Sequence, residues 1–486
     1  MFKKSFTKHL ISPKRVLYIA IILFILYFTF VAFSRHDNFY SRKIDLGNMD
    51  QTVWNVLHGN GFTLTDPMGT RQQSRLAVHA DFLLILLAPF YLIWSNPKML
   101  ILIQTIILGL GAIPVFWITH DVLKSKKLAL MFSIVYLLYP PMERLLLHDF
   151  HAITLSATFL LFAYWYMTRE QYVGFILCSL LAAFGKEDVW LIIAFFGVYI
   201  VLVNKKYLIG SIIVLVSLLV FYLLFWIAIP AVTDTKQHFA LIYLSNYGGN
   251  LNDIAKNILR NPLSVIHTMI MPDRLWYYVQ LLVPVGLLPI ASLPHLVFAF
   301  PSLFINVISD NTLMRQINYQ YNSTIAPFIF IASIYGYKTI AAILHRFSRT
   351  MPVLRRIPLA LWICFCAVGS VVAWGELPFG KNARFSYFTT PPLEKAVMEH
   401  VERLVPSSKS LSVTNNIGSH FSQRQFVYNY PVNAQIADYT VVYLGDAYAW
   451  PSAEAQKNML DSLLKNSAYK LFAQKGNFYA FRRIGL

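Results

Sequence analysis

Between residues 15 and 375 the chain returns repeatedly to apolar runs close to the roughly 17 to 25 residues that an α-helix needs to cross the hydrocarbon core of a bilayer. The runs fall near 15–34, 98–118, 128–141, 152–167, 171–184, 187–203, 207–230, 276–290, 293–308, 323–344 and 357–375, which predicts about eleven transmembrane helices. Composition agrees, with 57% hydrophobic, 15% aromatic and 13% charged residues and a mean hydropathy of +0.52. These values lie far from those of soluble domains. The fold class expected is therefore an all-α polytopic membrane domain over 1–375, followed by a smaller α/β domain over 376–486.

The first run follows Lys3, Lys4, Lys8, Lys14 and Arg15, like the basic start of a signal peptide, but its apolar part is too long for one. An uncleaved anchor is expected. Lys and Arg are retained on the cytoplasmic side of short loops. With the N-terminus inside, Lys124, Lys126 and Lys127, then Arg169, then Lys205 and Lys206, then Arg346, Arg349, Arg355 and Arg356 all fall inside. The net charge of +18 is thus in part a topology signal, and no basic groove with interleaved aromatics argues for nucleic acid. Cys178, Cys364 and Cys366 lie in apolar runs with neither metal-ligand spacing nor a disulfide framework.

This topology places 35–97, 142–151, 185–188, 231–275, 309–322 and everything after 376 on the outer side. Lys186, Glu187 and Asp188 then sit at an outer hairpin tip rather than in mid-membrane. A solvated tip is the plain reading, yet a cation beside two carboxylates is an unusual choice for a turn that needs only solubility. "RLLLHDFHAITL" adds His148, Asp149 and His151, and "RLAVHADFLL" adds His79 and Asp81. His and carboxylate at such spacing can ligate a metal, carry protons or bind phosphate. Asp81 and Asp149 could equally cap helix starts.

In the first outer loop, 35–97, periodicity predicts an amphipathic helix from about Asp45 to His58 with Leu46, Met49, Val53 and Leu57 as its apolar stripe. Asp50 falls inside the stripe, where an unpaired carboxylate is costly. Asp45 stands at its edge, in N-cap position. Near 309–322, Arg315 with Asn306, Tyr319 and Tyr321 suits a phosphate or sugar hydroxyls, though tyrosines are also ordinary at membrane interfaces. Asn322, Ser323 and Thr324 spell a glycosylation sequon that matters only in a eukaryotic secretory host. The C-terminal segment reads as a helix, short strands and a second helix near 452–465, without a P-loop, dinucleotide fingerprint or nucleophile elbow.

"IDLGNMDQTVWNVLHGNGF", "HADFLLILLAPFYLIW", "LLYPPMERLLLHDFHAITL", "GKEDVWL" and "VTNNIGSHFSQRQFVYNYP", in that order, resemble the membrane family called domain of unknown function twenty seventy-nine. That family in turn resembles the GT-C glycosyltransferases, which take a sugar from a polyprenyl-phosphate or polyprenyl-diphosphate donor. The resemblance implies an essential acidic residue in the first outer loop, a region where Asp45 and Asp50 both stand. It implies a reaction class and no more. On that reading Asp50, or alternatively Asp45, is the base, while Lys186, Arg315 and His148 or His151 hold phosphate. Glu187, Asp188 and Asp149 would orient these groups or bind a divalent metal, His79 would join the substrate-binding residues, and a metal requirement stays open because some GT-C enzymes have one and others none. The partners expected are membrane lipids and a polyprenyl-phosphate-linked sugar donor, in a bacterial inner membrane. A transporter or flippase of a lipid-linked or anionic substrate, and a non-catalytic envelope assembly protein, are the alternatives; helix repeats of the kind transporters carry are not evident.

Overall fold

The computed structural model describes residues 12–347, 359–446 and 449–485, so Lys3, Lys4, Lys8, Arg349, Arg355 and Arg356 lie outside the described residues. Five described helices are long and apolar enough to span a membrane: Pro13–Asp37, Lys98–Leu123, Tyr207–Val232, Leu288–Ile308 and Ala326–Phe347. Lys126–Leu137 and Pro140–Leu147 add a sixth when taken as one span bent by 40°. Leu83–Leu92, Ala152–Thr168, Tyr172–Ala183, Val189–Leu202 and Leu359–Trp374 are apolar but shorter. The bend falls at Tyr139, where Pro140 and Pro141 follow. Proline removes an N–H and pushes the residue before it out of the helical region, which ends the first helix there.

The helix Pro13–Asp37 shows how the bundle meets lipid. Leu17, Ile21, Phe24, Phe28, Val31 and Ala32 are buried at helical spacing, whereas Tyr18, Ile22, Leu26 and Phe30 are exposed although apolar. Tyr207–Val232 is exposed on nearly every face yet contains almost no polar residue, as a lipid-facing helix must. Between helices, small residues allow close approach. A Cβ added at Gly197 would lie 2.9 Å from the Gly210 carbonyl oxygen, and one added at Gly210 would lie 2.7 Å from that of Gly197. The two glycines thus let Val189–Leu202 and Tyr207–Val232 pack almost backbone to backbone.

The first loop opens with a π-helical turn at Lys43–Gly47, continues as the helix Asn48–Leu57, and forms a short antiparallel hairpin of β1 (Thr63–Thr65) and β2 (Gln72–Ser74). The predicted stripe is in place, with Leu46, Met49 and Val53 buried, but the α-helix begins at Asn48 rather than Asp45.

The C-terminal part is an α/β unit. Its strands are β3 (Leu411–Val413), β4 (Val427–Asn429), β5 (Tyr439–Tyr443), β6 (Tyr469–Lys475) and β7 (Phe478–Arg483), ordered β4-β3-β5-β7-β6. The β3 strand runs parallel to β4 and β5, and the other pairs are antiparallel. Successive strand residues face opposite sides. Val441 and Ala480 pack with Met398 and Val401 of the helix Lys395–Leu404, while Val442 and Phe481 pack with Leu460 and Leu463 of the helix Ala453–Lys465. The first layer also takes in Phe39 from the end of the first helix, so the two parts of the chain share a core.

Candidate functional site

Two cavities lie where the first loop meets the end of the helix bundle. The smaller, about 140 Å³, has walls from Leu191, Phe221, Phe225, Phe239, Ile305 and Met314, with Lys186, Glu187, His79 and His151 set among them. The larger, about 620 Å³, is the more polar of the two and carries Arg35, Arg42, Arg144, Arg384, Asp45 and His148 on its walls. Gln320 and Tyr321 line both cavities.

Asp45 reaches the larger cavity because the backbone carrying it is held open. The Arg42 N–H donates to Asp149 Oδ2 at 2.9 Å, while the Lys43 and Ile44 N–H groups donate to the carbonyl and side-chain oxygens of Asn415, each at 2.9 Å. The π-helical turn is thus gripped by Asp149 on one side and the C-terminal unit on the other. Gly47 fits closely there, since a Cβ would lie 3.2 Å from the Ser419 Cα and 3.3 Å from the Lys43 side chain. Asp149 is fixed in turn by an ion pair with buried Arg35.

His151 Nε2 stands 3.3 Å from Asp45 Oδ1, and the ring's Nδ1 faces the Asp149 carbonyl oxygen at 3.1 Å. A carbonyl oxygen only accepts, so Nδ1 carries a proton, and the Asp45 contact needs a further proton between Nε2 and Oδ1. Burial would raise the Asp45 carboxyl, but the hydrogen bond from His151 and the charges of His148, His151 and Arg42 outweigh it and hold the group well below the usual carboxylate range. His148 beside it is pushed down to about 4 by burial, and its Nδ1 has no hydrogen-bond partner among the described residues.

Asp50 is brought to a different place. It is fully buried and lines neither cavity, receiving bonds from Tyr91 Oη at 2.5 Å, Ser422 Oγ at 2.6 Å and Gln423 Nε2 at 3.0 Å. Burial lifts its carboxyl to about 6, against the lowering effect of Ser422, Tyr91 and Gln423. Ser422 Oγ also lies 2.8 Å from the Ser419 carbonyl oxygen, and its single proton cannot serve both acceptors. Ser422 therefore donates to one of the two at a time, Asp50 Oδ2 or the Ser419 carbonyl oxygen.

The tip Lys186–Asp188 faces the smaller cavity. Gly185 lets it sit against the helix Ala152–Thr168, where a Cβ would fall 2.2 Å from Ser156 Oγ. Glu187 Oε1 lies 3.0 Å from both His79 Nδ1 and His238 Nε2, and Oε2 accepts the Ala80 N–H at 3.0 Å. Burial opposes ionisation, yet His79, His238 and Lys186 hold Glu187 well below the usual range. Lys186 Nζ reaches Asp188 Oδ2 at 3.5 Å, and the two neighbouring carboxylates raise the ammonium against the effect of burial. Asp81 lines the same cavity, spent on a paired contact with buried Arg75. Arg315 stands apart, bonded to Asp273 at 2.9 Å and to the Ser309 carbonyl at 2.5 Å in a neighbouring cleft.

His79, Glu187 and His238 offer two imidazoles and one carboxylate with all ligand atoms within 4.8 Å of one another, a donor set that suits a zinc-class ion. His238 Nδ1 accepts the Ala240 N–H at 3.1 Å, so metallation at Nε2 would move that ring's proton to Nδ1 and sacrifice the Ala240 bond. His238 was open to sequence reasoning, as a histidine in the segment 231–275 assigned to the same side. Arg35, Arg42, Arg144 and Arg384 carried no local signal.

The fold resembles that of a GT-C glycosyltransferase, ArnT. A crystal structure of ArnT from Cupriavidus metallidurans, bound to undecaprenyl phosphate, superposes with a TM-score of 0.55 at 11% identity, covering 96% of this chain and 98% of that one. No curated protein matches the sequence. The family model for predicted membrane proteins, DUF2079, matches residues 35–478 and so takes in the π-helical turn, the histidine clusters and the C-terminal sheet up to the start of its last strand. The chain belongs to the DUF2079 family of membrane proteins.

Proposed function

We propose that this protein transfers a sugar from a polyprenyl-phosphate-linked donor to an acceptor hydroxyl, with both cavities on the outer side of the membrane. The observation that carries the reading is the Asp45–His151 pair, which stands between an apolar-walled cavity holding Lys186 and a polar cavity large enough for a saccharide. In the smaller cavity the aromatic walls take the first isoprene units and Lys186 faces the phosphate. In the larger cavity the Asp45 carboxylate orients the acceptor hydroxyl, and the acceptor oxygen attacks the anomeric carbon. The bond from that carbon to the phosphate oxygen breaks, its electron pair leaves with the polyprenyl phosphate opposite Lys186, and the acceptor proton passes to Asp45. ArnT, seen with undecaprenyl phosphate, supports this donor class. A divalent ion, where bound, belongs at His79, Glu187 and His238, where it would hold the tip that carries Lys186.

The test is transfer from labelled polyprenyl-phosphate sugars by the purified protein. Asp45→Asn should lower turnover roughly 100- to 10,000-fold with the protein still folded. Lys186→Ala should chiefly lower the rate from donors bearing the phosphate. Wild-type protein that consumes no donor, yet moves labelled lipid across proteoliposomes, would replace this reading with the flippase.

A further inference from the structure

A third cavity lies at the opposite end of the bundle and plays no part in the chemistry above. Lys14 lines it and Arg35 lines the polar cavity; they sit 21 residues apart on one helix, which at 1.5 Å per residue puts the two cavities roughly 30 Å apart. The cavity measures about 180 Å³ and is walled by the ends of four helices, through Lys14, Trp117, His120, Lys126, Trp165 and Arg169.

We infer that this cavity binds the phosphate group of an anionic lipid in the adjoining leaflet. Its one carboxylate, Asp121, is already committed. It receives Arg169 Nη2 at 2.6 Å, Arg169 Nε at 3.1 Å and Trp165 Nε1 at 2.9 Å, and the guanidinium lies over the Trp165 ring at 5.2 Å. Lys14 and Lys126 make no ion pair among the described residues, so the lining is left with two unspent cations. Both lysines stand in the first turn of a helix, Pro13–Asp37 and Lys126–Leu137, and neither first turn holds an acidic residue. Two ammonium groups thus border one small space with tryptophans at its wall, an arrangement suited to a phosphodiester at the membrane surface. The exposed apolar side chains of Tyr18, Ile19 and Ile22, one to two turns along the same helix, give the acyl chains a continuous surface.

Native mass spectrometry of the delipidated full-length protein, titrated with phosphatidylglycerol, phosphatidylcholine or inorganic phosphate, tests this. Phosphatidylglycerol should bind and phosphatidylcholine should not. Lys14→Ser with Lys126→Ser should weaken phosphatidylglycerol roughly thirtyfold, and Lys14→Arg with Lys126→Arg should keep it. Lys205→Ser with Lys206→Ser removes the same charge from the same end of the bundle outside the cavity and should retain wild-type affinity. Equal loss in both serine pairs would reduce the effect to diffuse surface charge and overturn the site. So would unchanged affinity in the Lys14 and Lys126 pair, or equal binding of phosphatidylcholine. Inorganic phosphate binding as tightly as the lipid would overturn the lipid as its source.

Discussion

Asp45 and Asp50 are neighbours in sequence with opposite electrostatic situations. Asp45 is half-buried beside cations and ionised; Asp50 is sealed among neutral donors and holds its proton up to about pH 6. A carboxyl raised by folding contributes stability that is complete below its unfolded value and is lost as pH rises to the folded one. For Asp50 the window runs from 3.8 to about 6, and the loss is on the order of 2–3 kcal/mol. Asp50→Asn keeps the shape without the ionisation. Its melting temperature relative to wild type should rise between pH 4 and pH 7, and thermal scans across that range check this; a constant difference would refute the buried-proton account. Glu187 makes a second case. If the His79–Glu187–His238 cluster holds an ion, elemental analysis should find close to one zinc-class ion per chain, lost in Glu187→Gln, and chelation should lower the melting temperature. Protein free of metal with unchanged stability would leave the three hydrogen bonds as the whole structure of the cluster.

At the scale of elements, close packing is carried by glycine. A Cβ at Gly336 would fall 2.0 Å from the Leu288 carbonyl oxygen, a backbone atom that cannot swing away. Gly336→Ala should therefore part Ala326–Phe347 from Leu288–Ile308 and cost about 1–3 kcal/mol or more, read as a drop in melting temperature. Much at this scale was legible in the sequence. The 3.6-residue stripe of Leu46, Met49 and Val53 located the first-loop helix and showed that Asp50 is buried. The stripe could not show what Asp50 is buried against, because Ser422 and Gln423 are more than 370 residues away. Nor could periodicity reveal the π-helical turn, which is made by tertiary bonds from Asp149 and Asn415. The tip Lys186–Asp188 was legible as charged and out of the bundle, but not that Glu187 points to His79 and His238. Span lengths read from apolar runs also blur where a helix bends, as at Tyr139.

At the scale of the whole molecule, "VTNNIGSHFSQRQFVYNYP" proves to be the segment with which the C-terminal unit holds the first loop. Asn415 binds the π-helical turn, the His420 ring stacks on that of His36 at 4.1 Å, and Gln51 Nε2 donates to the Arg424 carbonyl oxygen at 3.0 Å. Phe39 is the apolar anchor of this joint. Phe39→Ala should cost about 3–5 kcal/mol of stability at the joint, and limited proteolysis should then release the C-terminal unit; an unaltered cleavage pattern would show that the polar contacts suffice.

Gln51 meets its partner 373 residues further along the chain. At about 5–20 residues per second the ribosome takes roughly 20–75 s to cover that distance. Over that interval the later helices of the bundle are made and inserted while the turn bearing Asp45 still lacks the clasp from Asn415. The order of synthesis therefore works as a timer. A nascent or truncated chain that stops short of Asn415 is expected to be integrated in the membrane with the turn bearing Asp45 still unclasped.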